Sequence, residues 1–157
     1  MATEITITII EKLVSLLPGF ISRKYYSQKR LDEAVDIEAR TVNPVWVGLG
    51  GYVPDIRACF TISNFTDLTW RVHDFSAEMW VGQPLAVVTC YDRPDIARRR
   101  KGEIFTRCFL NERQIARLEE ERKKGAVKAT FYVYAYLESK IGLRRFHKTI
   151  ENCPVSF

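Results

Sequence analysis

The sequence predicts a single, soluble, mainly-β domain: a two-sheet β-sandwich with an amino-terminal helix and one helix before the last two strands. Three observations predict it. Apolar residues recur with a period of two from Glu33 onward, glycines and prolines cut the chain into about seven short strands, and one well-marked helix appears late. Strands alternating with helices would instead have indicated a parallel sheet with crossovers.

The 157 residues suit one domain of ordinary size, read as an amino-terminal segment 1–30 and a sandwich 31–157. In the first segment Ile9, Ile10, Leu13, Leu16, Leu17 and Phe20 fall mostly on one helical face. Thr8 followed by Glu11 has the spacing of a capping box, although Ile5, Ile7 and Ile9 alternating with threonines make a short strand a competitor. Pro18-Gly19 should end or kink that helix. The uncharged stretch from Leu13 to Ser22 is shorter than the roughly twenty apolar residues a spanning helix needs. A basic, aromatic stretch follows, with Arg23, Lys24, Tyr25, Tyr26, Lys29 and Arg30.

Val35, Ile37 and Ala39 then alternate with charged residues, the pattern of a half-buried strand. From Pro44 to Pro54, three glycines and two prolines predict a loop-rich connection. Ile56, Ala58, Phe60 and Ile62 form the inward row of the next strand. Leu68, Trp70 and Val72 continue the pattern, but the parity then shifts to Phe75, Ala77, Met79 and Val81. Such a shift predicts a bulge near His73 and Asp74, or a crossing between sheets. Gly82-Gln83-Pro84 reads as a turn, Leu85 to Tyr91 as a strand, Arg93 to Lys101 as a charged connection, and Ile104 to Leu110 as a strand.

Asn111 with Gln114 three residues later marks the start of the late helix, Leu110 and Ile115 offer a hydrophobic staple, and Gly125 marks its stop. Val127 to Leu137 and Leu143 to Glu151 are the two closing strands, joined through Gly142.

Catalytic chemistry has little to stand on. The two histidines, His73 and His147, lie apart from any paired cysteine, and Cys59, Cys90, Cys108 and Cys153 form no C-x-x-C pair. Neither a structural metal nor a nucleophilic site is expected, and no cofactor is implied. Glu119, Glu120 and Glu121 sit on a helix with lysines one turn away, the pattern of a solvated face rather than an acid–base pair. Gly48, Gly50 and Gly51 lack the lysine-bearing helix start of a phosphate loop. The protein is expected not to be an enzyme. Free thiols in a reducing cytoplasm are the simpler reading of the cysteines, and Asn64-Phe65-Thr66 matches a glycosylation sequon that matters only in a secreted protein.

Two features could meet a macromolecule. Arg98, Arg99, Arg100 and Lys101 form a run of four cations, which reads either as a solvated loop or as a phosphate contact. Tyr132, Tyr134 and Tyr136 line one face of a strand whose other face carries Ala129, Phe131, Val133 and Ala135. A tyrosine row packs under a neighbour, here the amino-terminal helix, or stacks bases. Net charge of +5 permits nucleic acid or anionic lipid without demanding either. A protein partner leads. An anionic membrane surface met by Leu13, Leu16, Leu17 and Phe20 with Arg23 and Lys24 is the second reading, and nucleic acid the third.

The stretch from Asp55 to Cys153 resembles the late-embryogenesis-abundant (LEA) type 2 domain, also called the water-stress and hypersensitive-response domain. The features that carry the likeness are a strand ending in Thr61-Ile62-Ser63-Asn64, then Leu68 to Val81 leading into a Gly-Gln-Pro turn. A charged helix before the penultimate strand and a terminal strand ending near Cys153 complete it. The resemblance implies an Ig-like sandwich without enzymatic activity, linked to stress protection or to binding other macromolecules. Some members of that family carry a membrane-anchoring helix ahead of the sandwich. This chain departs in its Arg98 to Lys101 loop and in an anchor too short to span.

Overall fold

The computed structural model describes residues 18–157, apart from the side chain of Phe20. The expected amino-terminal helix over Ile9 to Leu17 lies outside the described residues. Two short helices follow Pro18, α1 (Gly19–Tyr25) and α2 (Gln28–Ala34), with Ser27 capping the second by accepting from Arg30 N. Helix α2 runs across residues 30 and 31, and Leu31 is fully buried in the core. Tyr26 is buried too, and Gln28 donates to the Arg145 carbonyl at 3.0 Å, so this segment packs on the sandwich.

Nine strands follow: β1 (Val35–Ala39), β2 (Val45–Gly48), β3 (Asp55–Asn64), β4 (Trp70–Val81), β5 (Gln83–Thr89), β6 (Asp95–Ile96), β7 (Lys101–Phe109), β8 (Lys128–Ser139) and β9 (Gly142–Ser156). A third helix, α3 (Glu112–Lys124), separates β7 from β8. In one layer β3 pairs with β1 and β2 along one edge and with β7 along the other, all antiparallel. The other layer runs β9-β8-β4-β5. The layers join at both edges, through the parallel pairing of Val45 and Trp46 with Val155 and Ser156 and through Thr89 with Arg107. Hydrogen bonds therefore run around the whole sandwich, which leaves few open strand edges.

The alternating rows meet between the layers. Phe60 of β3 lies 5.2 Å from Phe75 of β4 and 5.2 Å from Phe131 of β8, ring centroid to centroid. Ile56, Phe60, Ile62, Phe75, Met79 and Phe131 are all fully buried. Each such side chain contributes about 1.5–3 kcal/mol on leaving water. The parity shift of β4 is a bulge, because its register with β8 slips between Val72 and Asp74 and leaves the exposed His73 without a partner in the ladder.

Two expectations are corrected. The Pro44 to Pro54 connection contains a strand, β2, with Val45 and Val47 buried and Trp46 outward. Four residues are too few for periodicity to reveal; pairing with β3 and β9 decides it. Only Gly82, at φ 69°, makes the turn after β4, since Gln83 and Pro84 already belong to β5. Helix α3 follows the expected caps. Asn111 Oδ1 accepts from Gln114 N at 3.0 Å while Gln114 Oε1 accepts from Asn111 N at 2.9 Å, and Gly125 ends the helix at φ 131°.

Candidate interaction surface

Outward residues of each layer follow from the same alternation that builds the core. On β8 the outward row is Tyr132, Tyr134 and Tyr136, set beside Glu78, Ser76 and Asp74 of β4 and beside Thr149, His147 and Arg145 of β9. Tyr132 meets Trp80 edge-on at 5.4 Å and Tyr134 meets His147 edge-on at 4.9 Å. Tyr132 and Tyr134 are each 36% exposed and Tyr136 is half-buried. The Tyr132 and Tyr134 rings are held by neighbours on their own sheet, and the flanking positions mix the acidic Glu78 and Asp74 with the basic Arg145.

The cation run lies elsewhere. Arg98 and Arg99 form a tight turn after β6, and Lys101 opens β7. That turn is tied to the β3–β4 connection: Asn64 N donates to the Arg100 carbonyl at 2.9 Å and Arg99 N to the Thr66 carbonyl at 3.1 Å. The Arg99 guanidinium is engaged with Asp67, while Arg98, Arg100 and Lys101 stand exposed. Arg23 and Lys24 are exposed on α1. The structure thus separates the tyrosine row, which lies on the β8 sheet, from a cation run at the corner leading into β7.

The Asn64-Phe65-Thr66 sequon has a structural use. Asn64 is buried, and its Nδ2 donates to the carbonyls of Leu68 at 2.7 Å and Ala97 at 3.0 Å. Its Oδ1 accepts from Thr66 Oγ1 at 2.7 Å, and Thr66 Oγ1 in turn accepts from the indole of buried Trp70 at 3.1 Å.

Another surface was not anticipated. On the outer face of β2, β3 and β7, the register sets Trp46 beside Arg57 and Arg57 beside Arg107, with Cys59 beside Phe105 and Asp55 beside Phe109. Trp46, Phe105 and Phe109 are 42%, 60% and 54% exposed. Asp55, its side chain only 4% exposed, accepts from Nε of Arg57 at 2.9 Å and from Nε of Arg107. The Arg57 guanidinium lies over Trp46 at 4.9 Å and that of Arg107 over Phe109 at 4.7 Å. Cation–π contacts of this kind hold the rings and the charges in one layer. A Cβ at Gly48 would stand 2.6 Å from the Trp46 ring, so the missing side chain is what lets the indole lie down along β2.

Between these groups runs a groove of about 450 Å³, walled by Arg40, Trp46, Arg57, Phe105 and Arg107 and floored by Cys59. Burial pushes the Cys59 thiol up, as it does those of Cys90, Cys108 and Cys153, which disfavours the reactive thiolate. Among the described residues no cluster of three or more His, Cys, Asp or Glu is placed to hold a metal ion, and no helix is long and apolar enough to cross a membrane. The signal for this face was present in the sequence as Phe105, Arg107 and Phe109 at alternate positions of a strand whose other face carries Ile104, Thr106 and Cys108.

Fold and surface together define a β-sandwich with an aromatic, arginine-bearing outer face. No family model matches the sequence, and no curated protein matches it significantly. Among solved structures the chain is similar to a structural-genomics target, SoR45, at 11% identity over 81% of this chain and 89% of that one, with a TM-score of 0.46. It is similar to a protein from Archaeoglobus fulgidus at 12% identity, covering 76% and 94% of the two chains, with a TM-score of 0.43. A solution structure described as a candidate late embryogenesis abundant protein matches at 10% identity over 96% and 87%, with a TM-score of 0.44.

Proposed function

We propose that the protein is a non-catalytic interaction domain that binds a protein partner through the outer face of β2, β3 and β7. One observation carries this reading: Trp46, Phe105 and Phe109 stand 42–60% exposed around two guanidiniums that a buried carboxylate fixes in place. Contact energy in protein interfaces concentrates in Trp, Tyr and Arg near the centre of a patch. Rigid anchors also lose little entropy on binding. Tyr52 and Val53, fully exposed and 56% exposed, stand in the β2–β3 loop, which closes on this layer where Leu110 N donates to the Pro54 carbonyl. The raised thiol of Cys59 in the groove favours recognition over chemistry, and four free cysteines fit a reducing, cytoplasmic setting. A stress-protective role is what the LEA resemblance adds to this reading.

The test is site-specific photo-crosslinking in cells, with the crosslinker at position 105 and, as a control on the opposite sheet, at position 134. A discrete adduct from position 105, lost on Trp46→Ala, is the expected result. Adducts arising from position 134 alone would overturn the assignment of the face.

A further inference from the structure

The two arginines of this face are held in an unusual way. Each donates only its Nε to Asp55, and the Nη atoms of both have no hydrogen-bond partner among the described residues. Asp55 orients the pair and compensates part of its charge without using the outer edges of either guanidinium. Those edges are the ones that grip a carboxylate with parallel hydrogen bonds. Arg40 adds a third cation on the groove wall, tied only loosely to Glu103 at 3.7 Å.

We propose that the groove takes a short acidic segment of the partner, with carboxylates on the outer edges of Arg57 and Arg107 and a neighbouring apolar side chain against Trp46 and Phe105. This rests on the reading of the face as the partner-binding surface. Charge complementarity selects the occupant. The positive patch is small and bounded: the next row along the sheet is Glu38, Thr61 and Glu103. A bilayer of anionic lipid or a nucleic-acid backbone extends past that row and meets its carboxylates, whereas one or two peptide carboxylates fit within it. The alternation of ring and guanidinium across the strands suits a segment that alternates acidic and apolar residues.

The experiment pans a random dodecapeptide display library on the full chain, then measures synthetic versions of the enriched peptides by fluorescence anisotropy. Enrichment of Asp and Glu next to Trp, Phe or Leu is expected. Arg57→Gln and Arg107→Gln should each weaken binding by roughly tenfold or more, as loss of a charged hydrogen bond implies. Each variant keeps one arginine on Asp55, so the fold should survive with a lowered melting temperature, and a cooperative melt above the assay temperature checks it. Arg57→Lys should weaken binding as well, because a point charge lacks the fork. Peptides without acidic enrichment that still depend on Trp46 and Phe105 overturn the acidic occupant and leave the face standing. Peptides indifferent to Trp46→Ala and Phe105→Ala overturn both readings. Tighter binding to equimolar phosphatidylcholine–phosphatidylserine vesicles or to oligothymidylate, lost in the arginine variants, overturns the peptide in favour of that polyanion.

Discussion

Arg99 grips Asp67 with two hydrogen bonds, Nε to Oδ1 at 2.8 Å and Nη2 to Oδ2 at 3.3 Å. The carboxylate is 8% exposed and the backbone of Arg99 sits at φ 53°. A residue inside a run of four cations is therefore a structural clasp between two connections. Replacing Arg99 by Ala should cost about 1–3 kcal/mol, because a nearly buried carboxylate loses its fork. Arg99→Gly loses the same pair but accepts the positive φ, so it should melt above Arg99→Ala. Arg98→Ala should stay within about 0.5 kcal/mol of the parent. Thermal melting of the three variants checks the order.

The exposed members of that run behave differently. Arg98, Arg100 and Lys101 are free to meet phosphate, and their number predicts at most weak, sequence-independent binding of nucleic acid. Changing all three to Ser should flatten the plot of log K against log salt by roughly 0.7–0.9 per lost phosphate contact. Tight binding to one sequence that persists at high salt would contradict this.

Acid stability depends in part on the seam between β1 and β9. Lys148 Nζ donates to Asp36 Oδ1 at 2.6 Å, and that bond first of all holds the Asp36 carboxyl below the ordinary aspartate value. A depressed folded value means the pair stabilises the fold above the unfolded aspartate value, near pH 4, and ceases to as pH falls through the folded one. Lys148→Met should therefore melt below the parent at neutral pH and converge with it in acid. Both groups are more than a third exposed, so high salt should shrink the difference.

Helix α3 is held to the β4–β5 turn chiefly by Arg117, beside the bond from Gln114 Nε2 to the Leu85 carbonyl and the buried Leu118. Arg117 donates through Nη1 to the Pro84 carbonyl at 2.7 Å and through Nη2 to those of Val81 at 2.7 Å and Gln83 at 3.1 Å. Arg117→Lys should recover little of what Arg117→Ala loses, because an ammonium cannot span three carbonyls around one turn. A loss of about 1.5–3 kcal/mol, read from urea unfolding, is expected for Arg117→Ala.

Truncation separates packing from lipid attachment. A chain beginning at Leu31 lacks α1, the buried Tyr26 and the first turn of α2, and should melt well below the parent, by about 3–5 kcal/mol if Tyr26 behaves like other large buried aromatics. One beginning at Pro18 keeps both helices and isolates the contribution of residues 1–17. An unchanged melting temperature for the Leu31 chain, with liposome binding lost, would make the segment a membrane element instead.

Alternation made much of this protein legible. The rows Ile56 to Ile62 and Phe75 to Val81 point inward because side chains on a strand alternate, and one parity break placed the bulge at His73. Asn111 and Gln114 announced α3 through a hydrogen-bond pattern that needs only three residues of spacing. These signals are local, and a sequence displays local chemistry directly. Three facts were set by partners distant in the chain. Val45 to Gly48 is a strand because β3 and β9 lie on either side of it, not because of its own period. Arg99 is a clasp because the β6–β7 turn folds back on Asp67. Trp46, Arg57, Arg107 and Phe109 became one surface only when three strands aligned in register over Asp55. A period of two states which face a residue takes, while the pairing of strands, a product of long-range packing, decides which residues share that face.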